Sequence, residues 1–247
     1  MLEIVLIVII GTIVGSFLSV CIDRVPQGKS IILPRSHCDM CGQLLGWCEL
    51  VPVVSYLMQG GRCRTCGAKI PIGELGVEVA TGIGFGMLYG IYGISIEMLW
   101  AVTFFCIGIV LSLIDAKHML LPTCIIHWGI LIGLIEIGAW TTMDFRWQRV
   151  AMSLLGALLG YGLFMLIYYG DRAMFKRKAL GEGDVRLMGL CGWYTGLDKL
   201  WTALVIGTAL ASIFGGILWV IRKQSKPFPL GPFLCFGTIV TLILEKE

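Results

Sequence analysis

The sequence predicts an all-α polytopic membrane protein with about eight transmembrane helices and a small cytoplasmic zinc-ribbon-like domain. Three observations carry this. Hydrophobic residues make up 57% of the 247-residue chain and charged residues only 14%, with a mean hydropathy of +0.87. A soluble domain carries about a quarter charged residues. Apolar runs of membrane-crossing length recur along the chain, and the one large polar segment holds two C-x-x-C pairs. The net charge of +3 comes without a basic stripe, so a nucleic-acid partner is not expected.

The first run, Leu2–Cys21, has Glu3 where a secretory leader would be basic, and reads as a spanning helix. Six further runs follow at Val77–Gly93, Glu97–Ile114, Thr123–Trp140, Val150–Tyr169, Trp201–Ile221 and Phe228–Leu244. Between Val150–Tyr169 and Trp201–Ile221 lies Asp184–Gly196, too short to span as written. Its helix is expected to begin nearer Leu180, placing its charged residues inside the helix or at the rim. The frequent glycines, as in "GIGFGMLYGIYG", are expected to let helices approach closely.

Sidedness follows from the basic residues. If the segment after the first helix is cytoplasmic, the inner connections carry Arg24, Lys29, Arg35, Arg62, Arg64, Lys69, Lys117, Arg172, Lys176, Arg177, Lys178, Arg222, Lys223 and Lys226. The outer side keeps Arg146, Arg149, Lys199 and Lys246, and Arg186 falls in a span. The expected organisation is a first transmembrane helix (1–22), a cytoplasmic four-cysteine domain (23–73) and a seven-helix membrane domain (74–247).

The polar segment contains "CDMCGQLLGWCELVPVVSYLMQGGRCRTCG". Cys38/Cys41 and Cys63/Cys66 are each followed by a glycine, Gly42 and Gly67, which lets the backbone turn around an ion. Two such knuckles have zinc-ribbon spacing. Four thiolates suit Zn²⁺, and iron takes the same ligand set. Two disulfides are the alternative, against which a cytoplasmic location argues. With all four positions taken by sulfur, the ion is expected to be structural. Cys21, Cys48, Cys106, Cys124, Cys191 and Cys235 are scattered, and most read as small hydrophobes.

Two aspartates share a membrane address. Asp115 ends the third run, in "LSLIDAKHMLLPT", and Asp184 opens the sixth, in "ALGEGDVRLMGLCGW". The topology puts both at the cytoplasmic edge. An ionisable group at that depth is a functional candidate, and two facing carboxylates can divide the work of acid and base. The alternative is two rim aspartates that cap helices or pair with Arg186 and Lys117. A proton-relay transporter and a redox protein with cysteine-bound iron also fit some of these features. No convincing internal repeat supports the transporter.

"GEGDVRLMGLCGWYTG" resembles the G-x-G-D signature of membrane aspartic peptidases, in the version of the prepilin peptidase family. Arg186 stands where lysine is usual. "GSFLSVCIDRVP" resembles that family's opening motif, with Ser19 in place of asparagine, and "LIDAKHMLLPT" its first catalytic stretch, with Thr123 in place of an acid. "PVVSYLMQGGRCRTCGAKIPIGELGVE" is similar to its cysteine domain and "FPLGPFL" to its last-helix motif. The resemblance covers almost the entire chain in order. It implies an inner-membrane enzyme that cleaves the leader of type IV prepilins or pseudopilins, in pilus assembly or protein secretion. It also implies N-methylation of the new amino terminus with S-adenosylmethionine. The peptidase roles would fall on Asp115 and Asp184. Glu74 and Glu78, four apart on one helix face, are candidates for orienting the amine in the methyl-transfer half.

Overall fold

The structure is a computed structural model that describes residues 1–144, 147–175, 180–222 and 228–245, without the side chains of 139–144, 174, 175 and 222. Arg146, Lys176, Arg177, Lys178, Lys223, Lys226 and Lys246, used above for sidedness, lie outside the described residues. The helices are α1 (Leu2–Arg24), α2 (Val54–Met58), α3 (Ile72–Tyr92), α4 (Ile96–His118), α5 (Thr123–Asp144), α6 (Trp147–Phe175), α7 (Glu182–Arg222) and α8 (Gly231–Leu244). All eight apolar runs fall on helices. The described residues contain two isolated β-bridges and no longer strand. The protein is therefore an all-α polytopic membrane protein. Among the described residues, five helices are long and apolar enough to cross a bilayer: α1, α3, α4, α6 and α7. α5 and α8 contribute shorter apolar stretches, Thr123–Gly138 and Gly231–Leu244.

The sixth and seventh runs form one element, α7, interrupted at Gly196, where φ is 76° and ψ 175°. No helical residue takes those angles, so α7 is two arms, 182–195 and 197–222. It begins at Glu182, which puts Glu182, Asp184 and Arg186 in its opening turns, as the short sixth run required.

The chain divides into two compact units, Met1–Ile94 and Ser95–Glu247. In the first, α1 lies along α3. A Cβ on Gly11 would come within 2.9 Å of Gly82 Cα, and one on Gly15 within 2.8 Å of Glu78 Cα. These are the close crossings that small residues permit where lipid supplies no hydrophobic drive. In the second unit, α6 crosses the first arm of α7 more tightly still. A Cβ on Gly156 would stand 2.4 Å from Gly192 O. The core of this unit gathers Trp100, Phe104 and Leu111 of α4, Ile126 of α5, Leu187, Leu190 and Tyr194 of α7, and Leu234 of α8.

The polar part of the first unit is built from tight turns. Each C-x-x-C knuckle is a small hairpin closed by one bridge, His37 with Leu44 and Arg62 with Lys69. Gly42 and Gly67 take φ of 70° and 71° at equivalent points, so the turn expected at each glycine is made in the left-handed conformation.

Candidate active site and metal centre

Asp115 and Asp184 come together at one end of the second unit, within Coulombic reach of each other and of Cys235. Each is held by the backbone of a glycine from a sequence motif.

Asp115 stands in the last turn of α4, 6% exposed. Met119, with φ of 52°, ends the helix directly after it, donating its N–H to Asp115 O at 2.8 Å. Asp115 Oδ2 accepts the Gly231 N–H at 2.9 Å. Gly231 opens α8, so the carboxylate caps the N-terminus of that helix, where unpaired N–H groups and the helix dipole favour negative charge. A Cβ on Gly231 would lie 2.8 Å from Asp115 Oδ2. The motif "FPLGPFL" thus contributes a donor that reaches Asp115 because no side chain intervenes.

Asp184 is half-buried in the first turn of α7. It makes a reciprocal pair with Gly181. Asp184 N donates to Gly181 O at 3.2 Å, and Gly181 N donates to Asp184 Oδ2 at 3.3 Å. This is half of a capping box, with aspartate in the role of the usual third-position acid. Gly183 does different work. A Cβ there would meet Leu121 Cβ at 2.8 Å. Leu121 follows Asp115 on the connection into α5, so Gly183 seats the start of α7 against the segment that carries the other aspartate. Both aspartates do cap helices, as the alternative of two rim aspartates requires. Their placement together is what that reading did not require.

Around the pair runs a belt of polar contacts that the sequence reading missed. Arg186 Nη1 donates to Thr123 Oγ1 at 2.7 Å, and its Nη2 lies 3.8 Å from Glu182 Oε2. Glu182 Oε1 accepts the Tyr168 hydroxyl at 2.9 Å, and Arg172 Nη1 donates to that hydroxyl at 2.7 Å. Thr123 and Arg186, two departures from the family pattern, are each other's partners. The third, Ser19, is buried in α1 and donates to Gly15 O at 3.2 Å.

Glu136 was also passed over. It is 6% exposed in α5, accepts Thr103 Oγ1 at 2.6 Å, and has no hydrogen-bond partner for Oε2 among the described residues. A single acid in the apolar run "GILIGLIEIGAW" was the available signal.

The four predicted cysteines converge in the first unit. Their Sγ atoms all lie within 4.8 Å of one another, with Cys38 and Cys66 3.8 Å apart. A tetrahedral ion with bonds of about 2.3 Å sets its sulfurs about 3.8 Å apart, whereas a disulfide needs about 2.05 Å. The set therefore fits a metal ion and not the disulfide alternative. The backbone N–H groups of Cys66 and then Thr65 turn toward the Cys63 thiol and lower it to about 6, while, despite the Ala68 N–H, burial and the neighbouring thiols raise Cys66 to about 11, so without an ion the clustered sulfurs hold their protons unequally.

Glu74 and Glu78 are both half-buried on α3. Glu78 Oε2 accepts the Val53 N–H at 2.7 Å. Val53 has φ 62° and ψ −51°, and Val54 N donates across it to Pro52 O at 2.6 Å. This is a γ-turn of the rare positive-φ kind, costly for a β-branched residue. The Glu78 carboxylate holds that turn in place.

Two family models match the chain. Residues 9–92 match the bacterial peptidase A24 N-terminal domain, and residues 102–220 the type IV leader peptidase family. Among similar proteins, a prepilin leader peptidase/N-methyltransferase of Bacillus subtilis is 30% identical over 95% of this chain and 92% of its own length. A type 4 prepilin-like proteins leader peptide-processing enzyme of Escherichia coli is 32% identical over 95% of this chain and 91% of its own. A prepilin leader peptidase/N-methyltransferase of Myxococcus xanthus is 35% identical over 86% of this chain, which spans 61% of that protein's length. No solved structure matches. The aspartate-bearing helices α4 and α7 fall in the second matched segment and the four cysteines in the first, and on these matches the chain belongs to the type IV leader peptidase family.

Proposed function

We propose that the protein is a membrane aspartic endopeptidase that removes the leader peptide of type IV prepilins or pseudopilins and then N-methylates the exposed amino terminus. The observation that carries the peptidase half is the placement of Asp115 and Asp184 at one end of one unit, each fixed through Oδ2 by a glycine N–H. In this reading one carboxylate takes a proton from water as the oxygen attacks the scissile carbonyl, and the other supplies a proton to that carbonyl. Collapse of the tetrahedral intermediate breaks the C–N bond, and the amine leaves with a proton returned by the pair. The coupled pair needs no fixed assignment of acid and base.

The methyl donor proposed is S-adenosylmethionine, which supplies an electrophilic methyl group to the new amine. Glu74 and Glu78 are the residues proposed to orient that amine. The ion proposed for Cys38, Cys41, Cys63 and Cys66 is Zn²⁺, in a structural role within 23–73. The peptidase chemistry belongs to 74–247. The family match supports a bacterial inner-membrane location, and the distribution of basic residues supports aspartates that face the cytoplasm.

The test is incubation of the purified protein with a type IV prepilin in detergent, with S-adenosylmethionine, followed by mass analysis of both products. Loss of the leader and gain of one methyl group on the mature chain are expected. An intact prepilin after prolonged incubation with folded protein sinks the reading.

A further inference from the structure

A carboxylate in the first turn of a helix is only as well placed as that turn, and helix ends fray. Asp184 occupies such a turn. Gly183 fixes one side of it against Leu121. Glu182 brings a side-chain hydrogen bond from α6 to it.

The Tyr168 hydroxyl is the link. A phenol has one proton to give and lone pairs to accept with. Here Arg172 Nη1 donates to it at 2.7 Å, with the guanidinium carbon 5.3 Å from the ring centroid. Arginine has no acceptor, so the phenolic proton is directed to Glu182 Oε1, 2.9 Å away. A cation donating to the oxygen strengthens the bond the phenol makes in turn. The plain alternative is a tyrosine of the aromatic belt, with its hydroxyl in headgroup water. Tyr168 is 8% exposed and its hydroxyl is engaged by two side chains, which a belt residue does not need.

We propose that Tyr168 is a positioning residue for the peptidase reaction, holding Glu182 and through it the turn that presents Asp184. The inference rests on the peptidase reading of Asp115 and Asp184. Glu182, at the x of G-x-G-D, becomes a grip by which α6 holds that turn.

The experiment is steady-state cleavage of a purified type IV prepilin by Tyr168→Phe, Glu182→Ala, Glu182→Gln and the double variant Tyr168→Phe/Glu182→Ala, beside wild type and Asp184→Asn. Phe keeps the packing and removes the hydroxyl. Gln keeps an oxygen that accepts from Tyr168, and Ala does not. Tyr168→Phe and Glu182→Ala are expected to lower kcat about 3- to 10-fold with KM within about twofold, the size of one lost hydrogen bond acting on the reacting state. Glu182→Gln is expected to restore most of the rate, and the double variant to be no slower than the worse single one. An unchanged kcat in folded Tyr168→Phe overturns the proposal. So do effects that multiply in the double variant, or a change confined to KM. Glu182 is exposed and also faces Arg186, so where Tyr168→Phe does not fold its two variants are compared in an Arg186→Gln background, and a Glu182→Ala loss that vanishes there overturns the proposal. A wild type that leaves the prepilin intact refutes the peptidase reading itself, an outcome distinct from all of these.

Discussion

Arg186 of α7 donates to the Thr123 hydroxyl at the start of α5, at 2.7 Å, across 63 positions of sequence. The positions at which this chain departs from its family's usual lysine and acid are in contact. In this chain the two positions are joined by a hydrogen bond to a hydroxyl, and a lysine with an acid at the same places would have the charges to pair. Thr123→Val should slow cleavage about 2- to 5-fold by removing the acceptor. Thr123→Asp with Arg186→Lys should recover wild-type activity better than Arg186→Lys alone. A double-mutant cycle on kcat/KM measures this, and independent effects would show that the contact has no energetic content.

Asparagine keeps the shape of aspartate and cannot exchange the working proton. Asp115→Asn and Asp184→Asn should each lower cleavage by about 10²- to 10⁴-fold while the protein remains folded in detergent. Methylation of a substrate supplied already cleaved should survive in both, because that step needs no proton shared between the pair. Mass analysis of the two products reads both activities in one sample.

The glycine contacts make a graded prediction. Gly231→Ala sets a methyl 2.8 Å from Asp115 Oδ2, and Gly183→Ala sets one 2.8 Å from Leu121 Cβ. Both should impair cleavage, since overpacking of this kind costs about 1–3 kcal/mol or displaces the carboxylate. Gly216→Ala, in the second arm of α7 with open space around it, should be neutral. Equal activity in all three, by cleavage rate and thermal midpoint, would mean the close approaches are not needed.

The metal centre is checked by loading. Purified protein should carry one Zn²⁺ per chain. Cobalt exchange should give the visible absorption of a tetrahedral thiolate site. Cys38→Ser/Cys63→Ser should abolish both, because each knuckle loses a ligand. Full occupancy in that variant would remove these cysteines from the ligand set.

A reporter fused after Gly73 should register on the cytoplasmic side. That follows from the basic residues between Arg24 and Lys69. An outside signal there would reverse the assigned orientation.

Much of this was legible in the sequence because it is written in period and spacing. Apolar runs marked where helices lie, and C-x-x-C-G repeated twice marked the two knuckles and the turns at Gly42 and Gly67, whose positive φ the structure adds. Asp115 and Asp184 could be named because each interrupts apolar sequence inside a motif. What stayed hidden depends on contacts between distant segments. Nothing local to Gly231 says that its N–H meets Asp115, which lies 116 positions earlier. Tyr168 reads as one more aromatic in "LIYYGD", and only the fold brings its hydroxyl to Glu182. The break at Gly196 was visible only as a gap between two apolar runs.

The bond from Gly231 to Asp115 gives this protein a built-in reporter. An amide hydrogen that points at a carboxylate shifts its magnetic resonance when the carboxylate gains or loses a proton. Selective labelling of Gly231 nitrogen would place a spectroscopic probe one hydrogen bond from Asp115, on a backbone atom that no substitution has disturbed. Titrating that single signal, with and without bound prepilin, would follow the charge state of Asp115 directly and separate it from that of Asp184, whose own amide partner is Gly181.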